Sequence, residues 1–133
     1  MDDVDVHVEV EVNLTENVDE VKQAAENMFG TLELEEKPLR RGSLLVARAK
    51  DVEILSKFGN LLRRERIRDA ARGVLFHGLK GNTITFYLNK QVAYAGHVSF
   101  CEPVAESPLG PIKVRIKSDH SLKLIDWLAP RTV

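Results

Sequence analysis

Five arginines, Arg63, Arg64, Arg66, Arg68 and Arg72, fall within ten residues. Arg64, Arg68 and Arg72 follow i, i+4, i+8 spacing, which on one helix makes a single stripe. Guanidinium groups are planar and permanently charged, and they grip phosphate oxygens through paired hydrogen bonds. Arg40, Arg41, Arg48 and Lys50 lie upstream, so the whole segment is basic enough to suggest nucleic acid. The plainer alternative is a solvated helix face, neutralised by Glu65 and Asp69 within reach of Arg68 and Arg72.

A second basic set, Lys113, Arg115 and Lys117, alternates along one strand face and could track a phosphate backbone. It could equally pair across strands with Asp5, Glu9 and Glu11, provided the two strands are neighbours, or meet an acidic row on another subunit. Asn89-Lys90-Gln91 places three polar side chains at a strand end, where Lys90 and Gln91 could read a base or sugar; a loop or helix cap explains them as well. Gly78-Leu79-Lys80-Gly81 matches the GxxG loop that clamps nucleotides between two helices. Here a helix precedes it and a strand follows, so it reads as a helix stop and turn. Tyr87, Tyr94 and Phe86 could stack on bases, but aromatic residues are only 6% of the chain, thin for a stacking platform.

Catalytic signatures are missing. His7, His77, His97 and His120 lack metal-ligand spacing, and Cys101, the single cysteine, has no nearby partner in sequence. No nucleophile elbow, Walker loop or dinucleotide-binding glycine run occurs. The expectation is a protein that is not an enzyme and takes no cofactor or metal.

These groups need a scaffold, and the periodicities supply one. Val4, Val6, Val8, Val10 and Val12 alternate with polar residues, the mark of a half-buried strand. Asn17 and Glu20 read as a capping pair for a helix burying Val18, Val21, Ala24, Ala25 and Met28, which Gly30 ends. Leu32 and Leu34 face inward in a strand over Thr31 to Glu35. Pro38 to Gly42 makes a basic loop, and Ser43 to Ala49 a strand. Asp51 caps a helix with the stripe Leu55, Phe58 and Leu62. The next apolar set, Ile67, Ala70, Ala71, Val74 and Leu75, points elsewhere, so a break falls between Gly59 and Arg64. Ile84, Phe86 and Leu88 mark a strand, Val98 and Phe100 another, and Pro108-Leu109-Gly110-Pro111 turns into a strand over Ile112 to Ile116. A helix from Ser121 to Leu128, capped by Ser118 or Asp119, closes the chain. The order, roughly βαββααβββα, gives an α+β fold in one domain over 1–133, a mostly antiparallel sheet with helices on one face.

With 133 residues, 44% apolar and 29% charged, the chain can bury a core without staples. No apolar run approaches a membrane span, and the acidic start lacks the basic region of a secretory signal. One cysteine makes a reducing cytoplasm the expected compartment. The net charge of -1 hides two blocks: residues 1–36 hold twelve acids and one base, residues 37–133 eight acids and eighteen bases. The uncompensated excess lies from Lys37 to Arg72, with eleven bases against four acids.

Several segments together resemble an archaeal group, uncharacterised protein family 0201. They are Val8-Glu-Val-Glu-Val-Asn13 with Thr15-Glu16, Arg66-Ile-Arg-Asp-Ala-Ala-Arg72, Phe86-Tyr-Leu-Asn-Lys-Gln91, Pro108-Leu-Gly-Pro-Ile112 and Ile125-Asp-Trp-Leu-Ala-Pro130. Asn17-Val18 departs from the Asp-Pro expected there, and asparagine still caps. The resemblance implies a fold like that of the ribosomal protein that binds 5S RNA, within a grouping labelled RNA-binding. It supplies no binding residues. The expected function is therefore non-catalytic binding of structured RNA through Arg40, Arg41, Arg64, Arg68 and Arg72, with Lys90 and Gln91. The rival is a protein-interaction or assembly module, a homodimer or partner-binding protein, motivated by the opposite charge blocks and by Trp127 on the polar side of the last helix.

Overall fold

Strict alternation makes the first strand, β1 (Val4–Val12): its five valines are buried while Asp5, His7, Glu9 and Glu11 face the other way. The computed structural model describes residues 4–103 and 110–131. After β1 come α1 (Val18–Phe29), β2 (Glu35–Pro38), β3 (Ser43–Ala49), α2 (Ile54–Arg64) and α3 (Arg68–His77). Then follow β4 (Leu79–Lys80), β5 (Thr83–Asn89), α4 (Lys90–Tyr94), β6 (Pro111–Ser118) and α5 (Ser121–Leu128). The strands form one antiparallel sheet in the order β2-β3-β1-β6-β5-β4. The α+β expectation holds, with helices over one face.

The core lies between that face and the helices. Phe58 of α2 stands at its centre, with ring centroids 5.3 Å from Phe29 and 5.4 Å from Phe86. The valines of β1, Ile84, Phe86 and Leu88 of β5, and Ile112, Val114 and Ile116 of β6 all point into it. Helix α1 packs on α2 and α4, and α5 packs on α2 and α3. Among the described residues, the opposite face of the sheet carries no helix.

Local chemistry explains where the chain departs from its periodicity. No strand forms over Thr31 to Leu34: the Leu32 N–H is taken by the Glu26 carboxylate at 3.1 Å, and ladder pairing with β3 begins only at Glu35. Leu32 and Leu34 still pack against the core. The break after α2 comes at Glu65–Ile67 and not at Gly59 to Arg64, because α2 continues far enough to bury Leu61 and Leu62. Arg66 then reverses the chain at φ 58°. Asp51 does not cap α2 directly; its carboxylate accepts the Glu53 N–H at 2.9 Å and folds the entry turn. Ser118 plays the same part before α5, accepting from the His120 N–H at 3.0 Å, so neither Ser118 nor Asp119 is the cap. The segment with Val98 and Phe100 contributes a single bridge, Leu88 to Phe100. The GxxG segment makes a tight hairpin, with β4 pairing to β5. The expected turn at Pro108 and Leu109 lies outside the described residues.

Candidate nucleic-acid interface

The structure scatters the basic residues that spacing alone groups together. Arg64 ends α2 while Arg68 and Arg72 belong to α3, so the left-handed turn at Arg66 breaks the stripe. Arg72 is held within the fold: its guanidinium lies 2.6 Å from Asp126 of α5, donates to the Ala129 carbonyl at 3.2 Å, and covers the Phe76 ring. Glu65 feels the charge of Arg64 but is held chiefly by other partners. One oxygen accepts the Val98 N–H at 2.7 Å and the other meets the His97 ring at 2.7 Å. The Val98 hydrogen bond outweighs burial and, with His97, holds the Glu65 carboxyl below its ordinary pKa. Arg40 and Arg41 sit at the exposed tip between β2 and β3, on the far side of the sheet from α3.

Lys90 is inside the protein. Asn89 caps α4, accepting the Val92 N–H at 3.0 Å, and this turns Lys90 inward, where it is 3% exposed. Its ammonium donates to the Glu11 carbonyl at 2.7 Å and to Glu16 at 2.9 Å. It pins α4 to the end of β1 and presents no charge to a ligand. Gln91 beside it is exposed.

A separate set of cations, Arg48, Lys113, Arg115 and Lys117, meets on the bare face of the sheet, while Arg40, Arg41, Arg63, Arg64 and Arg66 stay exposed elsewhere. Strand β1 lies between β3 and β6, and its register sets Glu9 beside Lys113, Asp5 beside Lys117, and His7 between Arg48 and Arg115. The adjacency needed for cross-strand pairing is therefore present, yet no ion pair forms. Among the described residues, Arg48, Lys113, Arg115 and Lys117 make no salt bridge or side-chain hydrogen bond. Arg48, Arg115 and Lys117 are exposed. The His7 imidazole lies lower in the face. Burial pushes its pKa down; Glu9 opposes this, and Arg48, Arg115 and Lys113 reinforce it. These effects favour the neutral imidazole.

A cleft of about 930 Å³ adjoins this face, between α3 and the edge of β5. His77, Lys80, Lys113 and Arg115 bring basic groups to it, and Tyr87 and Phe100 bring aromatic ones. Among the described residues no group of three or more His, Cys, Asp or Glu side chains could hold a metal ion. No helix among them is long and apolar enough to cross a membrane. Sequence reasoning missed the juxtaposition of Arg48, His7 and Arg115. Alternation puts each on an outer face, but only register brings them into one row.

Relatives share this frame over almost its whole length. A UPF0201 protein of Sulfurisphaera tokodaii is 47% identical over 125 residues, covering 94% of this chain and 86% of its own. The chain belongs to the UPF0201 family. A UPF0201 protein of Pyrobaculum islandicum is 44% identical over 124 residues, covering 92% of this chain and 87% of its own. The crystal structure of the UPF0201 protein from Methanococcus jannaschii superposes with a TM-score of 0.85 at 35% identity, covering 97% of this chain and 95% of the other. A family model described as RNA binding matches residues 5–118. That span includes β1 from Asp5 onward and every later strand, and therefore the outward residues of the bare face.

Proposed function

We propose that this UPF0201 chain is a non-catalytic RNA-binding protein that takes the phosphate backbone on the bare face of its sheet. One observation carries the reading: Arg48 of β3 and Lys113, Arg115 and Lys117 of β6 stand on the two strands that flank β1, with no carboxylate drawn into contact among the described residues. Cations left unpaired beside acids are available to phosphates, and neutralising phosphates releases counterions. The RNA-binding description of the matching family model supports the same partner. The test is affinity for a structured RNA hairpin across a salt series. Four phosphate contacts give a log–log slope of roughly -3. No binding at low salt, or a slope near zero, would overturn the reading.

A second reading follows from Asp5, Glu9 and Glu11 sharing that face with the cations. A surface carrying both signs in rows can dock on a second copy of itself. Leu122 and Trp127, 60% and 40% exposed on α5, offer apolar anchors to a protein partner elsewhere. Solution mass across a concentration series decides it: a strict monomer removes the homo-oligomer.

A further inference from the structure

We propose that Arg48, His7 and Arg115 form one proton-coupled site for a phosphodiester oxyanion: the anion lies across the two guanidiniums, and its arrival draws a proton from solvent onto His7. This rests on reading the bare face as an RNA surface, and it adds a specific position and a pH response.

The row occupies a particular place in the sheet. Strand β1 separates the cations of β3 from those of β6, and its outward residues are Asp5, His7, Glu9 and Glu11. Three of the four are carboxylates, which repel phosphate. Only at His7 can an anion pass from one basic strand to the other without crossing a negative charge. Adjacent strands lie about 4.8 Å apart, so Arg48 and Arg115 stand roughly 10 Å apart at their backbones, within reach of one phosphate group through their long side chains.

The histidine itself is unfinished. Its Nε2 is enclosed and has no hydrogen-bond partner among the described residues. Buried polar atoms without partners are uncommon, and each calls for a reason. In the free chain a proton there has no acceptor and faces the positive charge of Arg48, Arg115 and Lys113, with Glu9 the opposing carboxylate on its own strand. Asp5 and Lys117 flank the row on the next pair along. A phosphate lying over the row supplies the missing negative charge. Binding then raises the His7 pKa, so affinity rises as pH falls from the bound-state pKa toward the free-state one. Below both values the response is flat again. Each pKa unit gained on binding is worth at most tenfold in affinity.

The experiment measures affinity for one RNA hairpin at fixed ionic strength from about pH 8 to about pH 5.5, with the wild-type chain and His7→Gln. Phosphodiesters do not titrate in this interval. The wild type is expected to bind about three- to tenfold more tightly at the lower pH. His7→Gln is expected to keep the salt slope and lose the pH response, and the His7 ring signals in NMR should titrate at higher pH once RNA is bound. A flat wild-type profile, or a pH response that survives in His7→Gln, overturns the proton-coupled site while leaving the RNA surface standing. Absence of RNA binding at every pH overturns both.

Discussion

The Lys90 ammonium lies 2.9 Å from the Glu16 carboxylate, with the two side chains 3% and 12% exposed and 74 positions apart in sequence. Glu16 also accepts the backbone and side-chain N–H groups of Asn13, both at 3.0 Å. This knot joins the end of β1, the turn into α1, and α4. It turns a lysine that reads as a ligand contact into a fastening between elements. Buried ion pairs of this kind are costly to form but more costly to half-break.

Lys90→Met removes the cation and leaves the Glu16 carboxylate with only its Asn13 hydrogen bonds. The expected loss is about 3 kcal/mol of folding stability, read as a lower urea midpoint with an unchanged m-value. RNA affinity of the folded fraction should be unchanged. A variant as stable as wild type would show that Lys90 does not fasten these elements.

Acid weakens the fold through two carboxylates. Burial pushes the Glu16 pKa up, but the Asn13 hydrogen bonds and Lys90 outweigh it and hold it below the ordinary value. Glu65 is depressed as well. A depressed folded pKa contributes stability that is complete above the unfolded value, about 4.3, and disappears as pH falls through the folded value. The lowered His7 pKa costs some stability as pH falls below about 6.5; the two carboxylates add a further drop of the urea midpoint below about pH 4, and Glu16→Gln should flatten part of that second drop. Equal acid sensitivity in Glu16→Gln would remove Glu16 from the account.

Arg72 and Arg115 should separate stability from binding. Arg72→Ala breaks the contacts to Asp126 and the Ala129 carbonyl; because Asp126 is largely exposed, the cost is about 1 kcal/mol, with RNA affinity little changed. Arg115→Ala should leave the melting temperature within error and reduce the salt slope by about 0.7 to 0.9. The reverse pattern would return the RNA to the helix side.

Gly78 tests the packing behind the cleft. A Cβ there would stand 2.0 Å from the Thr85 carbonyl oxygen, while the Thr85 N–H donates to the Gly78 carbonyl at 3.1 Å. Gly78→Ala must push α3 away from β5 and should lower stability by about 1–3 kcal/mol. A thermal melt identical to wild type would mean that this contact yields freely.

Elements governed by nearest neighbours were legible in the sequence. The alternation of Val4 to Val12, the asparagine cap at Asn17 and the bounds of α5 all depend on residues within one or two turns. Two apolar directions in the middle segment announced two helices, but not the left-handed Arg66 that separates them. The site was hidden for a different reason. Arg48 and Arg115 lie 41 and 108 positions from His7 in sequence, and their row exists only because β1 inserts between β3 and β6 in one register. Lys90 misled in the opposite sense: a lysine between Asn89 and Gln91 looks like surface until Glu11 and Glu16 are brought against it.

The central claim is that RNA lies on the bare face of the sheet, and backbone-amide NMR during titration with an RNA hairpin tests it most directly. Shifts should concentrate at His7, Arg48, Lys113, Arg115 and Lys117, with α2 and α5 little affected. Shifts confined to Arg63–Arg72 and the Arg40–Arg41 loop, with the sheet unchanged, would contradict it.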